Sequence, residues 1–240
     1  MARTILITGG GTGIGRALAE HFAGHGDHVV ITGRRPGPLK ESVDALAGVT
    51  GLVCDHTDPA ALLRLAGELP ERLDVLVNNA GGQTDFDADG ATDLASYARD
   101  FRANLDANLL SAALTTRALE DRLAAGAAVV HIGSIAADQG SGSYGAAKAG
   151  LASWNIELAR TLGPRGITAN VVSPGYIAGT EFFRDKLAGE RRERLIAATA
   201  TGRPGTLDDI TGAVAFLASP AARHVTGQVL NVNGGAHTTR

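Results

Sequence analysis

Short apolar runs alternate with amphipathic segments along the whole chain. Thr4–Thr8 is the first apolar run, and beyond a glycine-rich stretch Ile14, Leu18 and Phe22 recur at helical spacing. The same alternation continues to the C-terminus, which predicts seven strands separated by helices. The predicted strands are Thr4–Thr8, His28–Thr32, Gly51–Cys54, Leu73–Asn78, Ala127–Ile132, Thr168–Val172 and Gln228–Val232.

Helical periodicity fills the intervals between these strands. Asp58 is the expected cap of one helix, and Thr206 with Asp209 resembles a capping box at the start of the last. The predicted helices are a segment through Ile14 and Phe22, Leu39–Leu46, Pro59–Leu69, a long helix through Leu94, Phe101, Leu105 and Leu109, Ser143–Leu162, and one that opens at Thr206. Strands that alternate with helices predict an α/β, Rossmann-type, doubly wound, seven-stranded parallel sheet. No repeat, linker or composition break divides it, so residues 1–240 are predicted to form a single domain.

Composition narrows the classes of function. The net charge is only −3 and no long run of one sign occurs, which argues against a nucleic-acid or membrane partner. Ala124–Ala137, an apolar stretch without charged residues, is too short and too polar to span a bilayer. No signal peptide precedes the first strand, and the single Cys54 can form neither an intramolecular disulfide nor a thiolate cluster. We therefore expect a cytoplasmic protein without a metal site.

The segment Thr8–Gly15 lies between the first strand and the first helix and is rich in glycine. Glycine lets the backbone turn sharply and approach a pyrophosphate, and the helix N-terminus offers unpaired N–H groups to the phosphate. A plain tight turn is the alternative interpretation, and the place of the segment in the first strand–helix unit favours a phosphate site.

Tyr144 and Lys148 are four positions apart in a predicted helix and therefore share one face. A free phenol has a pKa near 10, and a nearby ammonium is expected to lower it. Such a pair can act as a general acid and base near neutrality, whereas an exposed surface pair would have no chemical role.

Three motifs together identify a resemblance to the short-chain dehydrogenase/reductase family. They are Thr8-Gly9-x3-Gly13-x-Gly15, Asn78-Asn79-Ala80-Gly81 and Tyr144-x3-Lys148. The epimerase-like branch would place its middle glycine at Thr12, so the resemblance is to the shorter branch, and it covers the whole chain. It implies that the dinucleotide is bound by Gly9, Thr12, Gly13, Ile14, Gly15, Asn79, Ala80, Gly81, Tyr144, Lys148, Pro174, Gly175 and Ile177.

The end of the second strand bears on which dinucleotide is bound. It carries Arg34 and Arg35 where NAD-binding proteins usually have a carboxylate. A guanidinium suits the 2′-phosphate of NADP, and the resemblance points to Arg34 as the contact. Both arginines could instead be solvated loop charges, and NAD remains possible. Asp55 matches a family residue that binds adenine, but a simple turn aspartate is an equal alternative.

The resemblance also implies two further catalytic residues. Ser134, at the end of the fifth strand, matches the serine that hydrogen-bonds the substrate carbonyl, and Ser141 and Ser143 are rivals without a strand-end position. Asn108 matches the asparagine that holds a proton-relay water, whereas Asn104, one turn earlier, is expected to be solvated.

The resemblance implies a substrate loop at about 176–200 that includes Phe182 and Phe183, and His131 is expected to be a core residue without a role. The predicted function is NADPH-dependent reduction of a small-molecule carbonyl, free or carrier-linked, to a secondary alcohol, as in 3-oxoacyl carrier-protein reductases. The alternatives are an NAD-dependent alcohol dehydrogenase and, in another class, a non-catalytic dinucleotide sensor. By resemblance we expect a homotetramer or homodimer.

Overall fold

Seven parallel strands form one sheet in the computed structural model, in the order β3-β2-β1-β4-β5-β6-β7. The structure describes residues 2–86, 90–183, 187 and 189–239. The strands are β1 (Thr4–Thr8), β2 (His28–Gly33), β3 (Val49–Val53), β4 (Leu73–Asn78), β5 (Leu123–Ile132), β6 (Thr168–Pro174) and β7 (Val229–Val232). The strand order reverses between β1 and β4, and a crevice is expected at the carboxyl ends of strands that flank such a switch point.

Helices cover both faces of the sheet, as a doubly wound fold requires. They are α1 (Gly13–Gly24), α2 (Pro36–Ala45), α3 (Pro59–Glu68), α4 (Leu94–Leu105), α5 (Ser111–Leu119), α6 (Ala136–Gln139), α7 (Gly142–Leu162), α8 (Gly189–Ala197) and α9 (Leu207–Leu217). One buried layer includes Phe22 of α1 and Val214 of α9, and the other includes Leu65 of α3, Leu119 of α5 and Leu162 of α7. The predicted fold class is confirmed.

Several predicted element boundaries were wrong by a few residues. Helix α2 begins at Pro36 rather than at Leu39, because proline fits the first helical position although the apolar pattern starts later. Strand β5 begins at Leu123 rather than at Ala127, and its pairing shifts register after Leu73. Gly126, inside this strand, has a φ of 74°, which is not a strand conformation. A glycine at this position also breaks the alternation of side chains from which a strand is predicted.

The two predicted helix caps are confirmed. The Asp58 side chain accepts a hydrogen bond from the Ala60 backbone N–H at 2.8 Å. Thr206 and Asp209 form the reciprocal bonds of a capping box, with the Thr206 N–H donating to Asp209 at 2.8 Å. Within the described ranges, no helix combines the length and the apolar character that crossing a membrane requires.

Candidate active site

The glycine-rich turn leaves β1 at the switch point and opens α1. Gly9 has a φ of 67°, and a Cβ on Gly10 would lie 2.5 Å from Ile31. A Cβ on Gly15 would lie 2.6 Å from the Asn79 side chain and would also collide with the Gly9 carbonyl. Thr12 caps α1 without a side-chain hydrogen bond, so the first N–H groups of the helix are free to bind an anion.

Asn79 and Ala80 brace this turn from the end of β4. The Asn79 amide donates to the carbonyls of Thr8 and Gly9 at 2.9 and 3.1 Å. The Thr8 hydroxyl accepts from the backbone N–H groups of Asn79 and Ala80 at 3.0 and 2.8 Å. Gly81 follows with a φ of 155°, and a Cβ there would lie 2.6 Å from the Asn108 carboxamide oxygen. The two motifs therefore form one rigid unit.

The two arginines after β2 differ in their surroundings. Arg35 forms an ion pair with Glu181 at 3.1 Å, whereas Arg34 is exposed and has no ion pair with any described residue. The Asp55 carboxylate accepts bonds from the Thr57 N–H and hydroxyl at 2.9 and 2.7 Å, so this residue does act as a turn aspartate. The Thr57 backbone bond lowers the pKa of Asp55, with a smaller contribution from the positive charge of Arg34.

Ser134, Tyr144 and Lys148 converge where β5 ends and α7 begins. The Tyr144 phenol lies near Ser134, whose hydroxyl lowers the phenol pKa, and the Lys148 ammonium lies 5.8 Å from the centre of the Tyr144 ring. Lys148 is buried and donates to the Ile132 carbonyl at 2.8 Å. The ten-residue interval between Ser134 and Tyr144 is spanned by the short helix α6, which ends at the left-handed Gly140. The predicted catalytic groups are thus brought together.

The electrostatics of this group correct one expectation. Burial raises the pKa of Tyr144 to about 12, and the Ser134 hydroxyl offsets only part of that rise. Burial also lowers the pKa of Lys148 to about 8. The predicted lowering of the Tyr144 pKa is not found in this structure, because burial raises that pKa and the Lys148 ammonium donates to the Ile132 carbonyl instead.

Asn108 lies at a break in the helix that follows the β4 loop. Asp106–Leu110 forms a π-helical turn between α4 and α5, which the predicted continuous helix did not anticipate. The buried Asn108 amide accepts from the Gly82 N–H at 3.0 Å and donates to the Gly82 carbonyl at 2.9 Å. Single π turns often occur at functional sites, and here the turn holds the loop after the Asn-Asn-Ala-Gly motif against the helix.

Asn104 is fully buried, so the expectation that it is solvated was wrong. Its amide donates to Asp85 at 2.7 Å and to the Ser143 hydroxyl at 2.9 Å, and it accepts from the Thr84 N–H at 3.1 Å. Ser143 directly precedes Tyr144, so Asn104 links the β4 loop to the start of the catalytic helix. The rival role considered for Ser143 is thereby replaced by a structural one.

The segment after β6 closes the crevice. Gly175 passes so close to Asn233 that a Cβ would lie 2.9 Å from its side chain. Ile177 is buried and forms a bridge with Gly205, and the Thr180 hydroxyl donates to the Ile177 carbonyl at 3.3 Å. Pro174 ends β6 beside this loop. Four residues of the predicted substrate loop lie outside the described residues, namely Arg184, Asp185, Lys186 and Ala188.

Sequence reasoning gave no role to His56, which is buried beside the crevice. Thr115 donates to the Ser111 carbonyl at 2.7 Å, so its hydroxyl accepts from His56 Nδ1 at 2.7 Å. His56 Nε2 then accepts from Thr32 at 2.7 Å, and burial lowers the pKa of His56 to about 4. His56 directly follows Asp55 in the chain, and this adjacency is the local signal that could have drawn attention to it.

The turn fits a dinucleotide pyrophosphate by shape and by charge. Glycine stands at each position where a Cβ would obstruct the approach of a pyrophosphate to the turn. The free N–H groups at the start of α1 and the Arg34 guanidinium supply the positive charge that attracts it. A buried tyrosine and lysine lie across the same edge of the sheet. This combination defines an NAD(P)-dependent dehydrogenase or reductase.

Comparison with known proteins identifies the family to which the chain belongs. Residues 9–237 match the family model described as Enoyl-(Acyl carrier protein) reductase. The chain is 37% identical over 247 residues to 3-oxoacyl-[acyl-carrier-protein] reductase FabG of Escherichia coli, a match that covers 97% of this chain and 96% of that protein. It belongs to the short-chain dehydrogenase/reductase family.

Solved structures agree with this assignment. A mutant short-chain dehydrogenase/reductase from Serratia marcescens superposes with a TM-score of 0.88 at 32% identity, over 98% of each chain. A Beutenbergia cavernae protein described as an NAD(P)-dependent gluconate 5-dehydrogenase, solved with NADP at low occupancy, has a TM-score of 0.85 at 33% identity. That match covers 98% of this chain and 97% of the other.

Proposed function

We propose that this protein is an NADPH-dependent ketoreductase that reduces a carbonyl group to a secondary alcohol, with Tyr144 as the proton donor. The observation that carries the proposal is the buried Tyr144, which lies near Ser134 and one helical turn from the buried Lys148. The similarity to a 3-oxoacyl-[acyl-carrier-protein] reductase supports the direction of reduction, and a small carbonyl compound, free or carrier-linked, is the proposed substrate class.

The proposed roles follow from the chemistry of these side chains. When bound, a reduced nicotinamide would be the source of the hydride that the carbonyl carbon accepts. Ser134 and Tyr144 donate hydrogen bonds to the carbonyl oxygen, where negative charge builds up, and the Tyr144 proton passes to that oxygen. The Lys148 ammonium stabilises the resulting phenolate, and solvent then restores the phenol proton. Asn108 holds the loop beside this group and is the proposed site of a relay water.

The cofactor would be held mainly by backbone groups of the turn and of the loops that face it. We assign this contact to Gly9, Thr12, Gly13, Ile14, Gly15, Asn79, Ala80, Gly81, Pro174, Gly175 and Ile177, with Tyr144 and Lys148 toward the ribose. Arg34 is the proposed partner of the 2′-phosphate because its guanidinium is unpaired among described residues, while Arg35 is engaged by Glu181. The second oxygen of Asp55 is the proposed adenine contact.

A second function has support from one comparison. The Beutenbergia cavernae neighbour is described as a gluconate 5-dehydrogenase, so the same machinery could oxidise an alcohol with NAD or NADP. A non-catalytic sensor has weaker support, because burying Lys148 costs free energy that a sensor would have no reason to bear.

Replacement of Tyr144 by phenylalanine tests the proposed function. The variant keeps the ring but loses the proton, so turnover of a reducible ketone should fall by at least about a hundredfold while NADPH affinity stays within about twofold. Tyr97→Phe is the matched control, since Tyr97 is exposed on α4 and should tolerate the change. A Tyr144→Phe variant with near wild-type turnover would assign the proton to Ser134 or to solvent.

Assembly and location complete the proposal. Exposed apolar side chains lie on the long helices and on the C-terminal helix and strand, which supports a homotetramer or homodimer through those surfaces. They are Leu110, Ile156, Phe216, Val229 and Leu230. Light scattering at micromolar concentration should show a dimer or tetramer, and a clean monomer would contradict this. The cytoplasm remains the proposed location because Cys54 is a free thiol.

A further inference from the structure

An aromatic cluster contains the proposed general acid, Tyr144, and packs around its ring. It draws one residue from the β4 loop, one from α7 and three from the segment after β6. Its members are Phe86, Tyr144, Tyr176, Phe182 and Phe183, which we call the aromatic cover.

The concentration of rings at this place is not a consequence of composition. The chain has only six phenylalanines, three tyrosines and one tryptophan, and half of these ten residues belong to the aromatic cover. A ring buried for stability could lie anywhere in the core, yet Phe22 is the only phenylalanine of the described residues in the fully buried core.

Within the cover, Phe182 packs directly on the acid. Its ring centre lies 5.6 Å from that of Tyr144 at an interplanar angle of 53°, and Phe183 meets Phe182 edge to face at 5.0 Å. Phe86 approaches from the opposite loop, 6.1 Å from Phe182. The surface next to the phenol is therefore built from ring faces and edges.

Three polar side chains of the described residues lie next to the cover, and each is engaged by another group. Thr180 bonds to the Ile177 carbonyl, and Glu181 pairs with Arg35 on the far side of the crevice. The Arg191 guanidinium lies 5.5 Å from the centre of the Phe183 ring, where it stacks on the cluster. Among the residues that the structure describes, these contacts leave an apolar surface beside Tyr144.

We propose that the substrate carries a flat, apolar, preferably aromatic group next to its carbonyl, which packs against Phe182 and Phe183 while Tyr144 meets the oxygen. This inference rests on the proposed function, because it takes Tyr144 as the group that meets the carbonyl. Aromatic pairs in tilted or edge-to-face contact gain affinity beyond that of the buried area alone, so a phenyl group is preferred over a saturated ring of equal size.

Binding of two product-like alcohols tests this without turnover. 1-Phenylethanol and 1-cyclohexylethanol share one carbon skeleton, and in the presence of NADPH neither can react, so calorimetry reports binding alone. The phenyl compound should bind about three- to tenfold more tightly to the wild type. Phe182→Leu should reduce that preference to below about twofold. Phe101→Leu is the control, since Phe101 pairs with Tyr97 on α4 outside the cover and should leave the preference unchanged.

The possible outcomes separate this inference from the proposed function. Equal binding of the two alcohols, binding of neither, or a preference that survives Phe182→Leu would overturn the substrate class. A phenyl preference without reduction of acetophenone would sink the proposed reaction and leave the aromatic site standing. If Phe182→Leu does not fold, Phe183→Leu serves instead, and its preference should fall part of the way because Phe183 contacts both Phe182 and Tyr176.

Discussion

The glycine-rich turn after β1 and the aromatic cover after β6 lie at the same edge of the sheet but are built in opposite ways. The turn uses backbone groups, and its side chains are absent wherever a Cβ would obstruct it, as at Gly10 and Gly15. The cover uses large side chains from three separate segments, among them Phe86 and Phe182. A backbone-built site should fail sharply on substitution, whereas a side-chain-built site should change its preference by degrees.

The largest expected effect is on the turn. Gly15→Ala would force a Cβ to within 2.6 Å of the Asn79 amide and against the Gly9 carbonyl. The turn must shift, so NADPH affinity measured by fluorescence titration should fall more than about a hundredfold, and unfolding in denaturant should show a loss of about 1–3 kcal/mol.

Gly24→Ala is the control at the other end of the same helix. A Cβ at Gly24 meets nothing within 4 Å, so stability should hold or rise slightly and NADPH affinity should not change. Comparable losses in both variants would mean that the turn has no special demand for glycine.

The next largest effect distinguishes the contributions of the two arginines after β2 to cofactor binding. Arg34→Ala should weaken NADPH binding about ten- to hundredfold while leaving NADH nearly unchanged, because a charge-assisted phosphate contact contributes about 1.5–3 kcal/mol. Arg35→Ala should cost less, because Arg35 is paired with Glu181. Dissociation constants for both cofactors provide the measurement, and tighter binding of NADH than of NADPH by the wild type would reject the cofactor assignment.

The pH dependence of the reduction rate tests the proposed roles of Tyr144 and Lys148. Burial lowers the pKa of Lys148 to about 8, so its ammonium is present below that pH and is lost above it. Tyr144, with its pKa raised to about 12, stays protonated throughout this range. The rate of reduction should therefore fall above about pH 8, approaching tenfold per pH unit. Lys148→Met should be slow and should lack this limb, and a limb that persists in the variant would assign it to another group.

The smallest expected effect concerns the ion pair that joins the loop after β2 to the segment after β6. Glu181→Gln removes the ion pair with Arg35, and both side chains are 65% exposed. An exposed pair contributes about 0.2–1 kcal/mol, so the melting temperature should barely move and the affinity for NADPH should rise by less than about fivefold as Arg35 is released. A large loss of affinity would show that Glu181 orders the segment after β6 and does more than compete with the cofactor for Arg35.

The sequence by itself determined the elements and motifs whose constraints are local. The bounds of β1 and β4 were predicted to the residue, because each is an apolar run bounded by glycine or polar residues. The glycine turn and the Tyr144–Lys148 spacing are also local, since a backbone conformation or a shared helix face depends on neighbours a few positions away.

Only the tertiary structure decided which distant residues meet and how deeply they are buried. Asn104 resembled a solvated helix residue until Asp85 and Ser143 were seen to enclose it. Phe86 and Phe182 are almost a hundred positions apart, and no local pattern links them. The pKa of Tyr144 is raised by desolvation in the folded chain, whereas its spacing from Lys148 predicts that it is lowered. Motif spacing thus specifies which chemical groups are present, whereas packing sets their pKa values and the substrates they meet.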